Sequence, residues 1–204
     1  MMLGIIHHPV EGLGNIKEIL KEKDDLREVR ADELTGKETP DSIVLMGGPM
    51  GVYEHDRYPF MEKEFELIKR TPKVLGICLG AQLLSYALGG KVTPGSFGEE
   101  KGIMKVRTVS YLKTLGDIHV FQWHSDTFTL PEGADLLAYS DKYFQAFLKE
   151  RRLGLQFHIE VDAKMVKSWI ETYGGNEEIV NQVKEHEEEL FHTAKRIIKL
   201  WFDL

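Results

Sequence analysis

Apolar residues recur along the chain in two alternating rhythms, and their order is the first guide to the fold. Residues 3–7 and 42–46 are short, largely apolar runs with the length and composition of buried strands, and 26–29 reads as a further strand between them. Between the first two, Ile16, Ile19 and Leu20 repeat at helical spacing within 15–23. Pro59 opens a second helical stretch, 59–70, with Met61, Phe65 and Ile68 at i, i+4 and i+7. Residues 73–77 form a further strand, and 81–88 an apolar helix stopped by Gly89-Gly90. This alternation predicts an α/β fold with a mainly parallel sheet covered on both faces. Ligands of such sheets gather at the carboxyl ends of the strands, where Gly48 and Cys78 both fall.

Beyond residue 91 the rhythm changes. Residues 102–109, 119–123, 134–140, 143–149 and 154–158 read as short strands between turns, which predicts an antiparallel addition to the sheet. Asp162 caps a helix over 162–173 that Gly174-Gly175 ends. A long amphipathic helix is expected over 177–201, with Ile179, Val183, Leu190, Ala194, Ile197 and Trp201 along one face. With no internal repeat and no linker, residues 1–204 are expected to form one domain.

Composition narrows the function classes. Hydrophobic residues make up 42% and charged residues 29%, the balance of a soluble globular chain. A net charge of −7 argues against a general nucleic-acid surface. No apolar run approaches the ~20 residues that cross a bilayer, and the first residues lack the basic leader of a signal peptide. A single cysteine excludes an internal disulfide and fits a reducing cytoplasm.

That cysteine, Cys78, lies in Gly76-Ile77-Cys78-Leu79-Gly80, between a strand and a helix. Gly-x-Cys-x-Gly in this setting is a nucleophile elbow with sulfur in place of oxygen. The glycines allow the tight turn, and a helix N-terminus behind the thiol favours its thiolate. A buried structural cysteine is the alternative. A thiolate nucleophile needs an oriented base, and Gln156-Phe157-His158-Ile159-Glu160 offers one. On a strand, residues i and i+2 share a face, so Glu160 can fix the tautomer of His158. Oxyanion donors are available in the N–H of Leu79 and in the turn Gly47-Gly48-Pro49. Gln82, one helical turn beyond Cys78, is placed to bond something held at the thiol.

Together, Gly76-Ile77-Cys78-Leu79-Gly80-Ala81-Gln82, Gly47-Gly48-Pro49 and Gln156-Phe157-His158-Ile159-Glu160 resemble the motifs of the class I, or triad-type, glutamine amidotransferase family, in its stand-alone GMP synthase-like subgroup. The resemblance implies a flavodoxin-like three-layer sandwich. It implies Cys78 as nucleophile toward the side-chain amide of glutamine, His158 as base and acid, and Glu160 as its orienter. It further implies oxyanion donors at Gly48 and Leu79. Substrate contacts would come from Gln82 and from the Trp123-His124-Ser125-Asp126 loop, with His124 and Asp126 as the candidates there. Ala81 and Ile159 depart from the residues commonest at their positions, and neither removes a reacting group. No metal or cofactor is required by this chemistry. The expected partners are a small-molecule substrate and a separate ammonia-accepting synthase subunit, with neither nucleic acid nor membrane. Two rivals stand beside this reading: a γ-glutamyl peptidase using the same triad, and a non-catalytic regulatory or binding protein on the same scaffold.

Other motifs carry less. His7-His8 lacks partnering ligands for a metal, Gly95-x-x-Gly98 lacks the flanks of a phosphate loop, and 185–189 reads as the solvated face of the last helix.

Overall fold

A computed structural model describes all residues, 1–204. Five parallel strands make one half of a nine-stranded sheet: β1 (Met2–Ile6), β2 (Leu26–Arg30), β3 (Ser42–Leu45), β4 (Lys73–Ile77) and β11 (Arg152–Leu155). The remaining strands of the sheet are β6 (Glu100–Thr108), β7 (Ile118–His124), β9 (Asp135–Tyr139) and β10 (Phe144–Lys149). They extend it antiparallel, in the order β2-β1-β3-β4-β11-β10-β9-β6-β7. The helices are α1 (Ile16–Lys21), α2 (Phe60–Arg70), α3 (Leu79–Ala87), α4 (Ala163–Tyr173) and α5 (Glu178–Phe202). This is the three-layer α/β arrangement that the alternating rhythms predict.

Side-chain alternation along the central strands builds the layers. Met2, Val44, Leu75 and Ile77 point into one core with α1 and α5, through Ile16, Leu20, Ile197 and Trp201. Leu3, Ile5, Ile43, Leu45 and Val74 point into the opposite core with α2 and α3, through Met61, Phe65, Ile68, Leu83 and Leu84. A third cluster joins α4 to the start of α5 and to β7 through Phe121, Val166, Trp169 and Val183.

Several boundaries differ from the sequence reading. The helix after the elbow begins at Leu79 rather than 81, because Gly80 sits inside its first turn. Two short strands, β5 (Val92–Pro94) and β8 (Asp126–Phe128), pair with each other outside the main sheet. The strand expected over 154–158 ends at Leu155, so His158 and Glu160 lie beyond it in an extended segment. One antiparallel bridge to Phe121, in which the His158 N–H donates to the Phe121 carbonyl at 2.9 Å, fixes that segment. No helix is long and apolar enough to cross a membrane.

Candidate active site

Parallel pairing brings the separated motifs together. β4 lies between β3 and β11, with Gly76 opposite Leu45 and Ile77 opposite Leu155. The residues that follow these strands, Gly47 on one side and Gln156 to His158 on the other, therefore flank Cys78 at the carboxyl edge of the sheet. The Cys78 N–H donates to the Leu155 carbonyl at 2.7 Å, which ties the elbow to the strand that leads to His158.

Cys78 has φ 53° and ψ −108°, outside the regions that L-residues favour. Such a residue costs on the order of 1–3 kcal/mol and persists only where its surroundings hold it. Here the flanking glycines make the fold of the chain possible. A Cβ on Gly76 would strike the backbone of Gly80, and one on Gly80 the backbone of Leu45. The sulfur is buried but reaches a cavity. Its thiol lies 3.9 Å from the Trp123 carbonyl, and the Gln156 side-chain amide donates toward the sulfur at 3.7 Å.

His158 and Glu160 are each 1% exposed. Nδ1 of His158 donates to Oε1 of Glu160 at 2.7 Å, which assigns the proton to Nδ1 and leaves Nε2 as the free nitrogen. Burial lowers the pKa of His158, but the charges of Glu160 and Cys78 outweigh it and hold the imidazole well above its ordinary value. The ring of Trp169 packs edge-on against the imidazole at 4.9 Å.

Of the other residues singled out in the sequence, Gly48, Gln82, His124 and Asp126 line, with Cys78, one cavity of about 390 Å³. Gln82 donates its amide to the Asp126 carbonyl at 3.3 Å and to Oε1 of Gln156 at 3.1 Å. His124 is a brace: one ring nitrogen bonds the Asp126 carbonyl at 2.7 Å and the other the buried Glu100 carboxylate at 2.8 Å. Asp126 accepts from the Tyr53 hydroxyl at 3.2 Å, and its burial raises its pKa. The N–H of Leu79 opens α3, where no carbonyl four residues back exists within the helix to accept it.

The profile of the glutamine amidotransferase class-I family matches residues 6–172, most of the chain and all of the motifs above. The chain belongs to the class I glutamine amidotransferases. It is 34% identical over 167 residues to the glutamine-hydrolyzing GMP synthase of Streptococcus thermophilus, a stretch of 77% of this chain and 30% of that protein. The corresponding GMP synthase of Campylobacter lari is 39% identical over 140 residues, 65% of this chain and 27% of that protein. The chain thus spans under a third of the length of these curated relatives. A glutamine amidotransferase from Thermotoga maritima superposes with a TM-score of 0.85 at 36% identity, over 99% of this chain and 96% of that one. Another, from Methylobacillus flagellatus, superposes with a TM-score of 0.80 at 25% identity, over 100% and 94% of the two chains.

Three residues that line this cavity, Glu11, Trp169 and Tyr173, carry no assignment from the sequence. Gly47 packs between Glu11, His158 and Cys78: a Cβ there would stand 2.8 Å from Oε1 of Glu11, 3.3 Å from Cε1 of His158 and 3.7 Å from Cβ of Cys78. Glu11 follows β1 and lines the cavity with its carboxylate, 5% exposed. Oε2 of Glu11 accepts the Tyr173 hydroxyl at 2.7 Å, and the Trp169 indole N–H donates to the neighbouring Val10 carbonyl at 2.6 Å. Trp169 and Tyr173, one turn apart on α4, thereby clamp the loop that carries Glu11. A polar residue one step from the motif Gly12-x-Gly14, after a strand, is the only trace of Glu11 in the sequence.

His7 directly follows β1. It is buried beneath the site and its Nε2 meets Oε1 of Glu64 from α2 at 2.6 Å. Residues 185–189 lie on α5, where Glu189 pairs with His119 of β7 at 2.9 Å.

Proposed function

We propose that this chain is a cysteine-dependent amidohydrolase acting on the γ-carbonyl of glutamine or of γ-glutamyl compounds. The observation that carries the reading is the strained Cys78 at the head of α3, beside a His158 whose Nδ1 is committed to Glu160. In the proposed reaction Nε2 of His158 takes the thiol proton and the thiolate attacks the γ-carbonyl. The tetrahedral oxyanion is held by the N–H groups of Leu79 and Gly48. Collapse breaks the C–N bond as His158 returns its proton to the leaving nitrogen, which departs as ammonia or an amine. Water, deprotonated by His158, then attacks the thioester, and C–S cleavage restores the thiol and releases glutamate. Gln82 and the backbone around Asp126 hold the α-substituents, with His124 bracing that loop and Asp126 and Tyr53 closing its outer side.

The GMP synthases that resemble this chain are more than three times its matched length, which supports a glutaminase role whose ammonia passes to a separate synthase subunit. The second reading, in which a γ-linked amine is the leaving group, is favoured by the extension of the cavity beyond Cys78 to Glu11, Trp169 and Tyr173. Incubation with L-glutamine and with γ-glutamyl dipeptides, scored for glutamate, separates the two. Wild type is expected to release glutamate and Cys78→Ala is not. Equal release from both would overturn the catalytic assignment, and silence of wild type on every γ-glutamyl substrate would favour a non-catalytic binding role.

A further inference from the structure

We infer that Glu11 reads the charge of the leaving amine, and that the preferred substrates are γ-glutamyl amides whose amine portion carries a positive charge. This rests on the proposed γ-glutamyl hydrolase reading. The cavity has two walls around Cys78. One is built from Gln82, Asp126 and Tyr53, joined by their hydrogen bonds, and suits the polar α-end of a glutamyl group. The other is built from Glu11, Trp169, Tyr173 and Trp123.

This second wall stands on the side from which His158 must protonate the departing nitrogen. Trp169 packs on the imidazole, and the space above Gly47 is bounded by both Oε1 of Glu11 and Cε1 of His158. Whatever is attached to the leaving nitrogen is therefore directed toward Glu11. The carboxylate is built for a ligand rather than for the fold alone. Only Oε2 takes a hydrogen bond from the protein, from Tyr173, while Oε1 makes none and lies over Gly47 in a residue that lines the cavity. Burial first, then the hydrogen bond to Glu11 and its charge, raise the pKa of the Tyr173 phenol, so Tyr173 remains the donor and Glu11 the acceptor.

A buried acceptor with one oxygen free, flanked by aromatic rings, selects an ammonium or a guanidinium over an anion or an alkyl group. Burial raises the pKa of Glu11 as well, with the Tyr173 hydroxyl and the charges of His158 and His8 acting in the other direction. Trp123 already carries the Lys101 ammonium at 4.0 Å from its ring centre, so discrimination falls to Glu11 and Tyr173 rather than to that indole.

The test compares three γ-glutamyl amides of equal length, with 1,4-diaminobutane (cationic), n-pentylamine (neutral) and 4-aminobutyrate (anionic). Affinities are measured calorimetrically on Cys78→Ala, which reads the subsite whether or not turnover occurs, and kcat/KM is measured on wild type. The expected result is binding of the cationic amide about 10-fold tighter than the neutral one, and weakest binding of the anionic one. In Cys78→Ala/Glu11→Gln, which keeps an acceptor for Tyr173, that ratio collapses to within about 3-fold. No charge preference in Cys78→Ala, or a preference that survives Glu11→Gln, would overturn the inference. The first comparison holds even if the double variant fails to fold. Turnover of L-glutamine by wild type, scored in parallel, tests the hydrolase reading separately.

Discussion

Gly47→Ala probes how closely the reacting groups are packed. The new Cβ would lie 2.8 Å from Oε1 of Glu11 and 3.3 Å from Cε1 of His158, both inside the ordinary contact distance of ~3.5–4 Å. Its third neighbour, Cβ of Cys78 at 3.7 Å, needs no adjustment. Glu11 can swing, but the Tyr173 hydroxyl holds its other oxygen at 2.7 Å. His158 has less freedom, fixed by Glu160 on one side and Trp169 on another. The imidazole must therefore shift by a few tenths of an ångström from its place beside Cys78. Since a misplacement of about 1 Å can cost about 100-fold, a loss of roughly 10-fold to 100-fold in kcat/KM is expected. Crowding of this kind costs about 1–3 kcal/mol, and each kcal/mol lowers Tm by about 2–4 °C in a chain of this size. Gly12→Ala is the control, because nothing lies within 4 Å of its Cβ. Glutamate release and a thermal melt read both effects. Unchanged kcat/KM and Tm in Gly47→Ala, matching Gly12→Ala, would refute the packing argument.

Two further outcomes follow from the buried pairs. Glu160→Gln keeps the shape of the side chain but removes the charge that orients and charges His158, so kcat is expected to fall by about 10²–10⁴ with the fold retained by circular dichroism; activity near that of wild type would remove Glu160 from the mechanism. Glu64→Ala leaves His7 buried without its partner and is expected to cost about 3–5 kcal/mol in urea unfolding at pH 7. The pH dependence has a definite sign. Burial lowers the pKa of His7, but Glu64 outweighs it, and the folded values of both His7 and His158 lie above the ordinary value of about 6.5 for a free imidazole. The native state then holds more protons than the unfolded one, so this stabilisation is complete below about pH 6.5 and is lost as pH rises through the folded values. Glu64→Gln should flatten that decline, and a slope equal to that of wild type would contradict the His7 contribution.

The fold was legible where burial is two-sided. The strands 3–7, 42–46 and 73–77 are apolar on both faces because helices cover both, and nothing else in the chain reads that way. Val92–Pro94 and Asp126–Phe128 were not legible, since three residues with a proline or an aspartate carry no periodicity and pair only because the elbow helix packs beside them. Cys78, His158, Glu160 and Gln82 could be singled out because each belongs to a local pattern. Glu11 could not, for its meaning depends on Tyr173, 162 positions away, and on a clamp that only α4 supplies. Gly47 and Gly48 are alike in sequence, and only the parallel register of β3 on β4 puts the first of them against the imidazole.

The proposed mechanism turns on a glutamyl thioester at Cys78. Rapid mixing of the protein with γ-glutamyl-p-nitroanilide, followed by acid quenching and peptide mass analysis, tests it most directly. The expected result is a burst of p-nitroaniline stoichiometric with enzyme and a glutamyl adduct on the peptide that contains Cys78, both absent in Cys78→Ala. Turnover with no adduct, or with the adduct on another residue, would contradict it.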